Sequence, residues 1–451
     1  MARDVLITGL GAVSALGVGK DDLWNALVEG SSGLRSLQRV DPSGLPCRVA
    51  GQAVDFSVRD FLPKSYRKAT KVMARDIELA VAAASLAVKD AGLTTRADET
   101  DTTSMRGNRL GCQIGAGLIA AETEEMSRAL AASTDPDGSF SLERWGTETA
   151  PDGRVGSGGM NHLPPLWLLK YLPNMLACHV TILHGAEGPS NTITCAEASA
   201  LLSLGESTRV IQRDDADACF SGGAESKLNY MGLLRMDLAG RLAHNTEPED
   251  GTRVLMPYAE NSGGVLGEAG AVLLVEERTH AQKRGVTPYA RIAGFGAAQT
   301  AGCPLPTGVW EPDEPQIERG LVDAIESALR DAGLDPADMD AIVPMGLGVP
   351  VCDRRERMAL HAVFGSRLSS IPLITLAPNV GNCSAGQGGL MTAAAALAIR
   401  HQTIPARIQR GAPAAGLDAG AAPARRAHLR HVLVCTTALG GQNAALVLSA
   451  P

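Results

Sequence analysis

The segment Lys89-Asp90-Ala91-Gly92-Leu93 recurs as Arg330-Asp331-Ala332-Gly333-Leu334, and the two copies close similar stretches of the chain. Apolar residues at helical spacing precede each copy, and a short apolar run that enters a glycine follows it. The predicted elements are helices over 76–93 and 319–334 and strands over 109–114 and 341–344. A helix, a strand and a glycine turn that occur twice predict a duplicated α/β unit.

Further apolar runs bounded by glycine alternate with helical patterns along the chain, so helices are expected on both faces of the sheets. The predicted strands are 5–8, 216–220, 271–275, 431–435 and 444–448, and the predicted helices are 198–212 and 388–400. Two stretches rich in glycine, proline or alanine, at about 131–160 and 410–426, are predicted to be a surface insertion and a surface loop.

Composition is that of an ordinary globular protein and argues against several kinds of partner. Of the 451 residues 45% are hydrophobic, the formal net charge is −8, and no run of lysine and arginine could follow a phosphate backbone, so no nucleic acid is expected. The nine cysteines lie singly, which predicts no metal site, no disulfide framework and a reducing compartment. Asp4 interrupts the position of a signal peptide, and no apolar run approaches the roughly 20 residues of a membrane span. A cytoplasmic protein without a membrane partner is therefore expected.

Several motifs, taken in order, resemble those of a known family. They are Val5-Leu6-Ile7-Thr8-Gly9-Leu10-Gly11, Asn174-Met175-Leu176-Ala177-Cys178-His179, Gly188-Pro189, Ser221-Gly222-Gly223-Ala224-Glu225, Gly263-Gly264-Val265-Leu266-Gly267-Glu268 and Gly440-Gly441-Gln442-Asn443. Over nearly its whole length the chain resembles the β-ketoacyl synthase, or ketosynthase, family. By this resemblance the loop with Gly440, Gly441 and Asn443 is similar to the family's glycine-rich loop beside the active site.

The resemblance also implies a fold, a cofactor requirement and partners. The implied fold is an α/β, thiolase-like, five-layered αβαβα arrangement of two duplicated β/α halves, here residues 1–285 and 286–451. Family members form dimers. Acyl groups are delivered on the phosphopantetheine of an acyl carrier protein, so no other cofactor is expected.

The position of the family's nucleophile is occupied by a glutamate. Ketosynthases hold the acyl group on a cysteine at a helix N-terminus. That cysteine lies eight residues after the proline of the Gly-Pro pair and twenty-eight before the acid of Gly-Gly-Ala-Glu, and the counts from Pro189 and from Glu225 both fall on Glu197. Cys195 would require a gap that neither count needs, so it is expected to be a small buried residue ahead of the helix.

A carboxylate is a poor nucleophile, and Glu197 is expected to act as a plug instead. At a helix N-terminus its charge would be stabilised by roughly 0.3–1 kcal/mol. Its oxygens would accept the N–H bonds that otherwise form the oxyanion hole.

The assisting groups of the family are also replaced. By resemblance, Met345 and Asn382 stand at the two histidine positions and Ala377 at the lysine position. His361, the only histidine between residues 281 and 400, lies in a polar helical pattern and is expected to be a surface or capping residue. Without histidine no group neutralises the enolate formed on malonyl decarboxylation, so the chain by itself is not expected to condense acyl groups.

The leading interpretation is a non-catalytic subunit similar to the chain length factors. Such a subunit pairs with an active ketosynthase in a type II polyketide or polyene system and shapes the acyl tunnel. That group typically has glutamine at the nucleophile position, so the glutamate is a departure and leaves the subclass open. Family position suggests Leu118, Trp167 and Leu168 as tunnel or interface side chains, although ordinary core residues would fit the sequence equally well.

Two other interpretations stay open. Glu197 could serve as a general acid or base in cyclisation, dehydration or isomerisation of a carrier-bound chain, with Asn382 orienting the substrate. An active condensing enzyme would instead have to use Cys195 or Cys383, which follows Asn382 in a glycine-rich loop. A homodimer is also compatible with the sequence.

Overall fold

The computed structural model describes residues 3–149, 152–244, 250–301 and 317–451. Its strands are β1 (Val5–Ser14), β2 (Gly17–Val18), β3 (Leu34–Ser36), β4 (Val49–Gly51), β5 (Leu110–Ala116), β6 (Thr147–Thr149), β7 (Val155–Ser157), β8 (Ser190–Ile193), β9 (Ala218–Ser226), β10 (Glu268–Glu277), β11 (Ala290–Gln299), β12 (Ala341–Val343), β13 (Thr403–Ile404), β14 (Arg425–Arg426), β15 (His431–Thr437) and β16 (Gln442–Ser449). Its α-helices are α1 (Lys20–Glu29), α2 (Arg75–Asp90), α3 (Thr123–Ala132), α4 (Leu142–Gly146), α5 (Trp167–Lys170), α6 (Met175–His184), α7 (Ser199–Gln212), α8 (Tyr230–Leu238), α9 (Arg278–Arg284), α10 (Arg319–Ala332), α11 (Pro350–Phe364), α12 (Ala377–Val380) and α13 (Gln387–His401).

The main sheet repeats one succession of strand directions. Its strands follow the order β12-β15-β16-β11-β1-β10-β9-β5-β8, with β2 beside β1. On one side β1, β10 and β9 pair antiparallel and β9 then pairs parallel with β5. On the other side β11, β16 and β15 pair antiparallel and β15 then pairs parallel with β12. The duplicated α/β unit predicted from the sequence is therefore confirmed, while the boundary predicted at residue 285 stays a prediction.

A helix packs closely on the first strand of each half, and glycine makes this possible. A Cβ atom at Gly9 or Gly11 of β1 would lie 2.3 or 1.8 Å from a carbonyl oxygen of α2. A Cβ atom at Gly294 or Gly296 of β11 would lie 2.2 or 2.1 Å from a carbonyl oxygen of α10. Both strands also shift register just before the first of these glycines. The two halves therefore resemble each other even in the individual contacts between strand glycines and helix carbonyl groups.

Helices cover both faces of the strands. Gly270 of β10 approaches α2, whereas the Cβ atom of the neighbouring Ala271 approaches Gly389 of α13. Successive residues of a strand point to opposite faces, so α2 and α13 lie on opposite sides of the sheet. Helix α13 is buried from Gln387 to Ile399, as expected for a central layer.

The sequence predicted the elements well but ended several strands too early. The strand predicted over 5–8 continues to Ser14, and the strand predicted over 216–220 occupies Ala218–Ser226. Glycines in these strands are sites of close packing and do not end them. The predicted insertion at 131–160 contains α4, β6 and β7, and its residues 150 and 151 lie outside the described ranges. His361 is exposed on α11, as predicted.

Eight of the nine cysteines lie in the described ranges, where no disulfide joins two of them, while Cys303 lies outside these ranges. The same ranges contain no group of three or more His, Cys, Asp or Glu side chains that could hold a metal ion. Within them, too, every helix is too short or too polar to cross a bilayer.

Candidate functional site

Each central helix, α7 or α13, follows a short 3-10 turn in which one residue has a positive φ. These residues are Ala196, with φ +46°, and Ser384, with φ +48°. Residues other than glycine rarely adopt this conformation. The N–H of the preceding cysteine, Cys195 or Cys383, donates to a side chain four residues later, at 2.8 and 3.0 Å. The two turns are therefore equivalent positions in the two halves.

Glu197 directly follows the first of these residues, and its side chain is held from two directions. The residue is 1% exposed. One carboxylate oxygen accepts a hydrogen bond from Nδ2 of Asn382 at 3.1 Å, and the other accepts one from the backbone N–H of Leu439 at 3.1 Å. The sequence predicted that Glu197 would accept N–H bonds at the start of a helix. The donors in fact come from the other half of the chain and not from α7.

The amide of Asn382 is fixed by its own contacts. Its backbone N–H donates to the carbonyl of Val265 at 2.8 Å, and its carbonyl accepts from the N–H of Gly267 at 2.9 Å. Its side-chain oxygen accepts from the N–H of Ser384 at 2.9 Å. Because that oxygen is engaged, the NH₂ group is the part of the amide that faces Glu197.

The glycine loop positions the second donor. Gly441 has φ +82°, which favours glycine. Asn443 donates from Nδ2 to the carbonyl of Gly441 at 2.8 Å and to the hydroxyl of Thr300 at 2.9 Å. Gly440 and Gly441 follow Leu439 directly, so these contacts fix the loop that carries the Leu439 N–H. The hydrogen bond to Glu197 is thus made by Leu439, directly before the predicted loop residues Gly440, Gly441 and Asn443.

Glu197 lines a pocket of about 390 Å³. The pocket is lined by Gly117, Leu118, Ala120, Pro173, Thr194, Ala196, Glu197, Glu225, Lys227, Gly232, Arg235, Met236, Ser384 and Leu439. The surface that these residues present to the pocket is mostly apolar, although two acidic and two basic residues are among them. A concave, largely apolar site with a few polar groups is typical of ligand binding.

The remaining residues proposed from the sequence lie in different places. Leu118 lines the pocket and is 65% exposed, and Leu168 is 58% exposed but lies outside the lining, so the ordinary-core alternative is wrong for both. Trp167 is half-buried and packs on a tyrosine, with ring centroids 5.0 Å apart. Met345 and Ala377 are buried in the core and do not line the pocket. Of the three replaced assisting groups, the structure brings only Asn382 to Glu197.

The sequence interpretation missed a charged cluster beside Glu197. Glu225 is fully buried, and its carboxylate accepts hydrogen bonds from the ammonium of Lys227 and from the N–H of Ala385, the latter at 2.9 Å. Burial first, and then the charge of Glu225, raise the pKa of the nearby buried Asp76 to about 7. Glu225 and Lys227 are two residues apart at the end of a strand. This spacing is the sequence signal that could have placed both side chains on the same face of the sheet.

The two cysteines considered as nucleophiles are not activated. Cys195 is partly exposed, which corrects the expectation that it is buried, and partial burial raises the pKa of its thiol. It precedes the turn before α7, as expected. Cys383 is buried, and burial raises the pKa of its thiol far more. A reactive cysteine needs a lowered pKa, so neither thiol has the environment of a nucleophile.

The chain is similar to known proteins over almost its whole length. The family models for the N-terminal and C-terminal domains of beta-ketoacyl synthases match residues 2–281 and 289–410. A curated relative, 3-oxoacyl-[acyl-carrier-protein] synthase 2 of Coxiella burnetii (strain RSA 493 / Nine Mile phase I), is 32% identical over 452 residues, which cover 99% of this chain and 98% of that protein.

Two solved structures cover 100% of this chain and are themselves covered in full, each with a TM-score of 0.80. One is the ishigamide ketosynthase/chain length factor, at 24% identity. The other is a type II polyketide synthase acyl-carrier protein in complex with its ketosynthase bound to the hexaketide, at 23% identity. At these identities the likeness concerns the fold, and it confirms the predicted thiolase-like arrangement. Together with the two family models, which span most of its length, this shows that the chain belongs to the β-ketoacyl synthase family.

Proposed function

We propose that this chain is a non-condensing subunit, similar to a chain length factor, that pairs with an active ketosynthase and shapes the tunnel for carrier-bound polyketide or fatty-acyl chains. One observation carries the proposal. The residue at the family's nucleophile position is Glu197, and its carboxylate is buried between the amide of Asn382 and the N–H of Leu439.

These contacts oppose acyl transfer in two ways. Both carboxylate oxygens already accept hydrogen bonds, and an acyl anhydride formed on Glu197 would tend to hydrolyse. The N–H of Leu439 is also engaged, although an acyl carbonyl at this position would need such a donor to stabilise an oxyanion. Glu197 is thus bound as a plug in the place where an acyl-enzyme would form.

Decarboxylation of a malonyl group lacks its assisting groups as well. Asn382 stands where the family has a histidine, and an amide cannot transfer a proton near neutral pH. Met345, at the other histidine position, is buried in the core. The partner subunit would supply the cysteine and both histidines, while this chain would complete the dimer and the wall of the tunnel.

An exposed apolar face supports a partner. Met231, Leu234 and Leu238 of α8 are 36%, 50% and 65% exposed, and their spacing places them on one side of the helix. Leu118, which lines the same pocket as residues of α8, is 65% exposed. Clusters of exposed apolar side chains mark interaction surfaces. The likeness to a ketosynthase/chain length factor supports an active ketosynthase as the partner, and the likeness to a ketosynthase bound to its acyl-carrier protein supports a carrier protein.

The pocket itself favours a second candidate function. Glu197 lies in the wall of a cavity large enough for an acyl chain, and Asn382 orients its carboxylate. Glu197 would then act as a general acid or base in cyclisation, dehydration or isomerisation of a carrier-bound chain.

The test is to purify the chain alone and together with a ketosynthase encoded beside it, and to supply both preparations with acyl- and malonyl-loaded carrier protein. Intact-protein mass spectrometry follows acyl transfer, and carbon dioxide release follows decarboxylation. We expect only the pair to react, with the acyl mass on the partner subunit alone. An acyl group on this chain, at Cys195 or Cys383, would contradict the proposal.

A conservative variant separates the two candidate functions. Glu197→Gln retains the size of the side chain but removes its acid and base chemistry. The non-condensing subunit is expected to keep condensation by the pair close to the wild-type rate. A general acid or base at this position is instead worth about 10²–10⁴ in rate, so a loss of that size with unchanged pairing would favour the second candidate.

A further inference from the structure

Lys227 places a cation in the wall of an otherwise mostly apolar pocket. It follows the last residue of β9, two positions after Glu225, and both residues line the pocket with Glu197. The side chain of Lys227 is 18% exposed, whereas that of Glu225 is fully buried. Lys227 belongs to none of the motifs that carry the family resemblance.

The charge of Lys227 is stabilised by the acids around it. Burial is the largest single influence on the pKa of Lys227 and lowers it, but the charge of Glu225 and its hydrogen bond with Lys227, together with the charges of Asp76 and Glu197, outweigh burial and raise the pKa. The ammonium is therefore charged at neutral pH. It makes its ion pair with Glu225, which is held in turn by the N–H of Ala385 at 2.9 Å.

The ion pair leaves donor capacity unused. An ammonium group has three N–H donors. Within the described part of the chain Lys227 makes one hydrogen bond, to Glu225. Water can serve the other donors while the pocket is empty, but an acyl chain that fills the pocket displaces this water. A hydrocarbon chain offers no acceptor in exchange, and a charged donor left without an acceptor is strongly unfavourable.

We propose that Lys227 makes this pocket selective for acyl chains that carry oxygen acceptors along their length, such as oxo or hydroxy groups, over fully reduced hydrocarbon chains. The inference rests on the proposed function in one respect, namely that the pocket holds an acyl chain. Carbonyl oxygens would take over the hydrogen bonds of the displaced water, and the apolar wall formed by Leu118, Met236 and Leu439 would contact the carbon atoms between them.

The test measures binding to the full chain with stable probes. The probes are the pantetheine amides of octanoic, 5-oxooctanoic and 7-oxooctanoic acid, which cannot transfer their acyl group, and titration calorimetry gives each Kd. We expect the wild type to bind at least one oxo probe about tenfold more tightly than the octanoyl probe, the size of one added hydrogen bond to a charged group.

Three variants assign this preference to Lys227. Lys227→Met has a similar length without the charge, and we expect it to bind all three probes within about twofold of one another, with the octanoyl probe bound more tightly than by the wild type. Lys227→Arg keeps a charged donor and is expected to retain the preference. Lys283→Met removes an exposed lysine of α9 that does not line the pocket, and is expected to leave the ratio unchanged.

Equal binding of the three probes by the wild type, tighter binding of octanoyl, or no binding of any probe would each overturn the inference, as would a preference that persists in Lys227→Met. Since the wild type and Lys227→Arg already test the preference, the inference does not depend on whether Lys227→Met folds. The probes also require no acyl transfer. A failure of the non-condensing proposal, seen as acylation of this chain, is therefore distinguishable from a failure of the selectivity.

Discussion

Ala196 adopts a φ of +46° although it has a side chain, and Ser384 repeats this conformation with +48° in the second half. A residue other than glycine in this region is destabilised by roughly 1–2 kcal/mol, so the surrounding contacts must hold both turns in place. The residue that follows each of these two strained residues shows why. Glu197 receives hydrogen bonds from the second half, and the N–H of Ala385 donates to Glu225 of the first half. Each strained turn therefore takes part in a hydrogen bond between the two halves that involves a buried carboxylate.

The hydrogen bonds to Glu197 should be visible in the stability of the chain. Glu197→Ala leaves the N–H of Leu439 and the amide of Asn382 without their acceptor, and we expect it to lower the free energy of unfolding by about 2–4 kcal/mol. Glu197→Gln keeps one acceptor oxygen and should lower it by about 1–2 kcal/mol. Urea denaturation of the isolated chain measures both losses. Equal losses would show that these two hydrogen bonds do not contribute to stability.

The two candidate cysteines should differ in reactivity. Cys195 is partly exposed, whereas Cys383 is 0% exposed. We expect iodoacetamide to alkylate Cys195 in the native chain at least about tenfold faster than Cys383, because a buried thiol reacts only after local opening. Peptide mass spectrometry over a time course gives both rates, with Cys195→Ser as the control. Labelling of Cys383 at the rate of Cys195 would contradict the buried, inert thiol described above.

At the scale of elements, the repeat is carried by close packing of one helix on one strand in each half. Gly296→Ala would place a Cβ atom 2.1 Å from a carbonyl oxygen of α10. We expect this overpacking to lower the free energy of unfolding by about 1–3 kcal/mol. Gly420→Ala is the matched control, because its Cβ atom would have no neighbour within 4 Å, and its effect should stay within about 0.5 kcal/mol. If thermal unfolding shows the same loss of stability for Gly296→Ala and Gly420→Ala, then β11 can move away from α10 without destabilising the protein.

Buried carboxylates of helix α11 accept hydrogen bonds from the loop that follows β12. Asp353 accepts hydrogen bonds from the N–H groups of Tyr258 and Gly348, at 2.8 and 3.1 Å. Glu356 accepts from the N–H groups of Met345 and Gly346, at 2.8 and 3.0 Å. Burial first, and then the charge of Glu356, raise the pKa of Asp353 to about 7. Met345 is thus part of a rigid loop supported from α11.

The raised pKa of Asp353 predicts a pH dependence with a definite sign. Its folded-state pKa lies above the ordinary value of 3.8, so its contribution to stability is fully present below about pH 4 and is lost as the pH rises through about 7. Asp353→Asn cannot titrate. Between pH 5 and pH 8 we therefore expect the difference in unfolding free energy to change in favour of the variant by about 1–3 kcal/mol. Chemical denaturation at several pH values tests this, and a constant difference would contradict it.

The sequence predicted the elements and part of the site, for reasons that the structure makes clear. Apolar periodicity and the Asp-Ala-Gly-Leu repeat are local signals, so α2, α10 and the strands that follow them could be placed. Counting along the chain also placed Glu197 correctly at a turn before a helix. The hydrogen bond between Leu439 and Glu197 joins residues that are 242 positions apart in the chain. The direction of the Lys227 side chain depends on where β9 ends. No local pattern encodes either contact.

At the scale of the whole molecule, the two halves share one sheet through β1 and β11, and β8 lies at one end of that sheet. Strand β8 pairs with β5 in the sheet. The two residues that follow β5 in the chain, Gly117 and Leu118, line the pocket. The pocket therefore lies toward the end of the sheet that belongs to the first half, near the exposed face of α8. Because Gly232, Arg235 and Met236 of α8 line the pocket, a partner bound to the exposed face of this helix would lie beside the pocket.

The exposed face of α8 gives the last prediction, which concerns assembly. Leu234→Glu combined with Leu238→Glu introduces two charges on this face, and burying them against a partner would be strongly unfavourable. We expect the affinity for the ketosynthase partner proposed above to fall by at least about thirtyfold, as for the loss of an interface hot spot. Val351→Glu is the control, because Val351 is 44% exposed on α11. Size-exclusion chromatography with light scattering and a titration of the partner measure assembly, and the melting temperature of the isolated variant checks that it folds. If the double variant still pairs with wild-type affinity, the ketosynthase binds elsewhere and α8 does not form the interface.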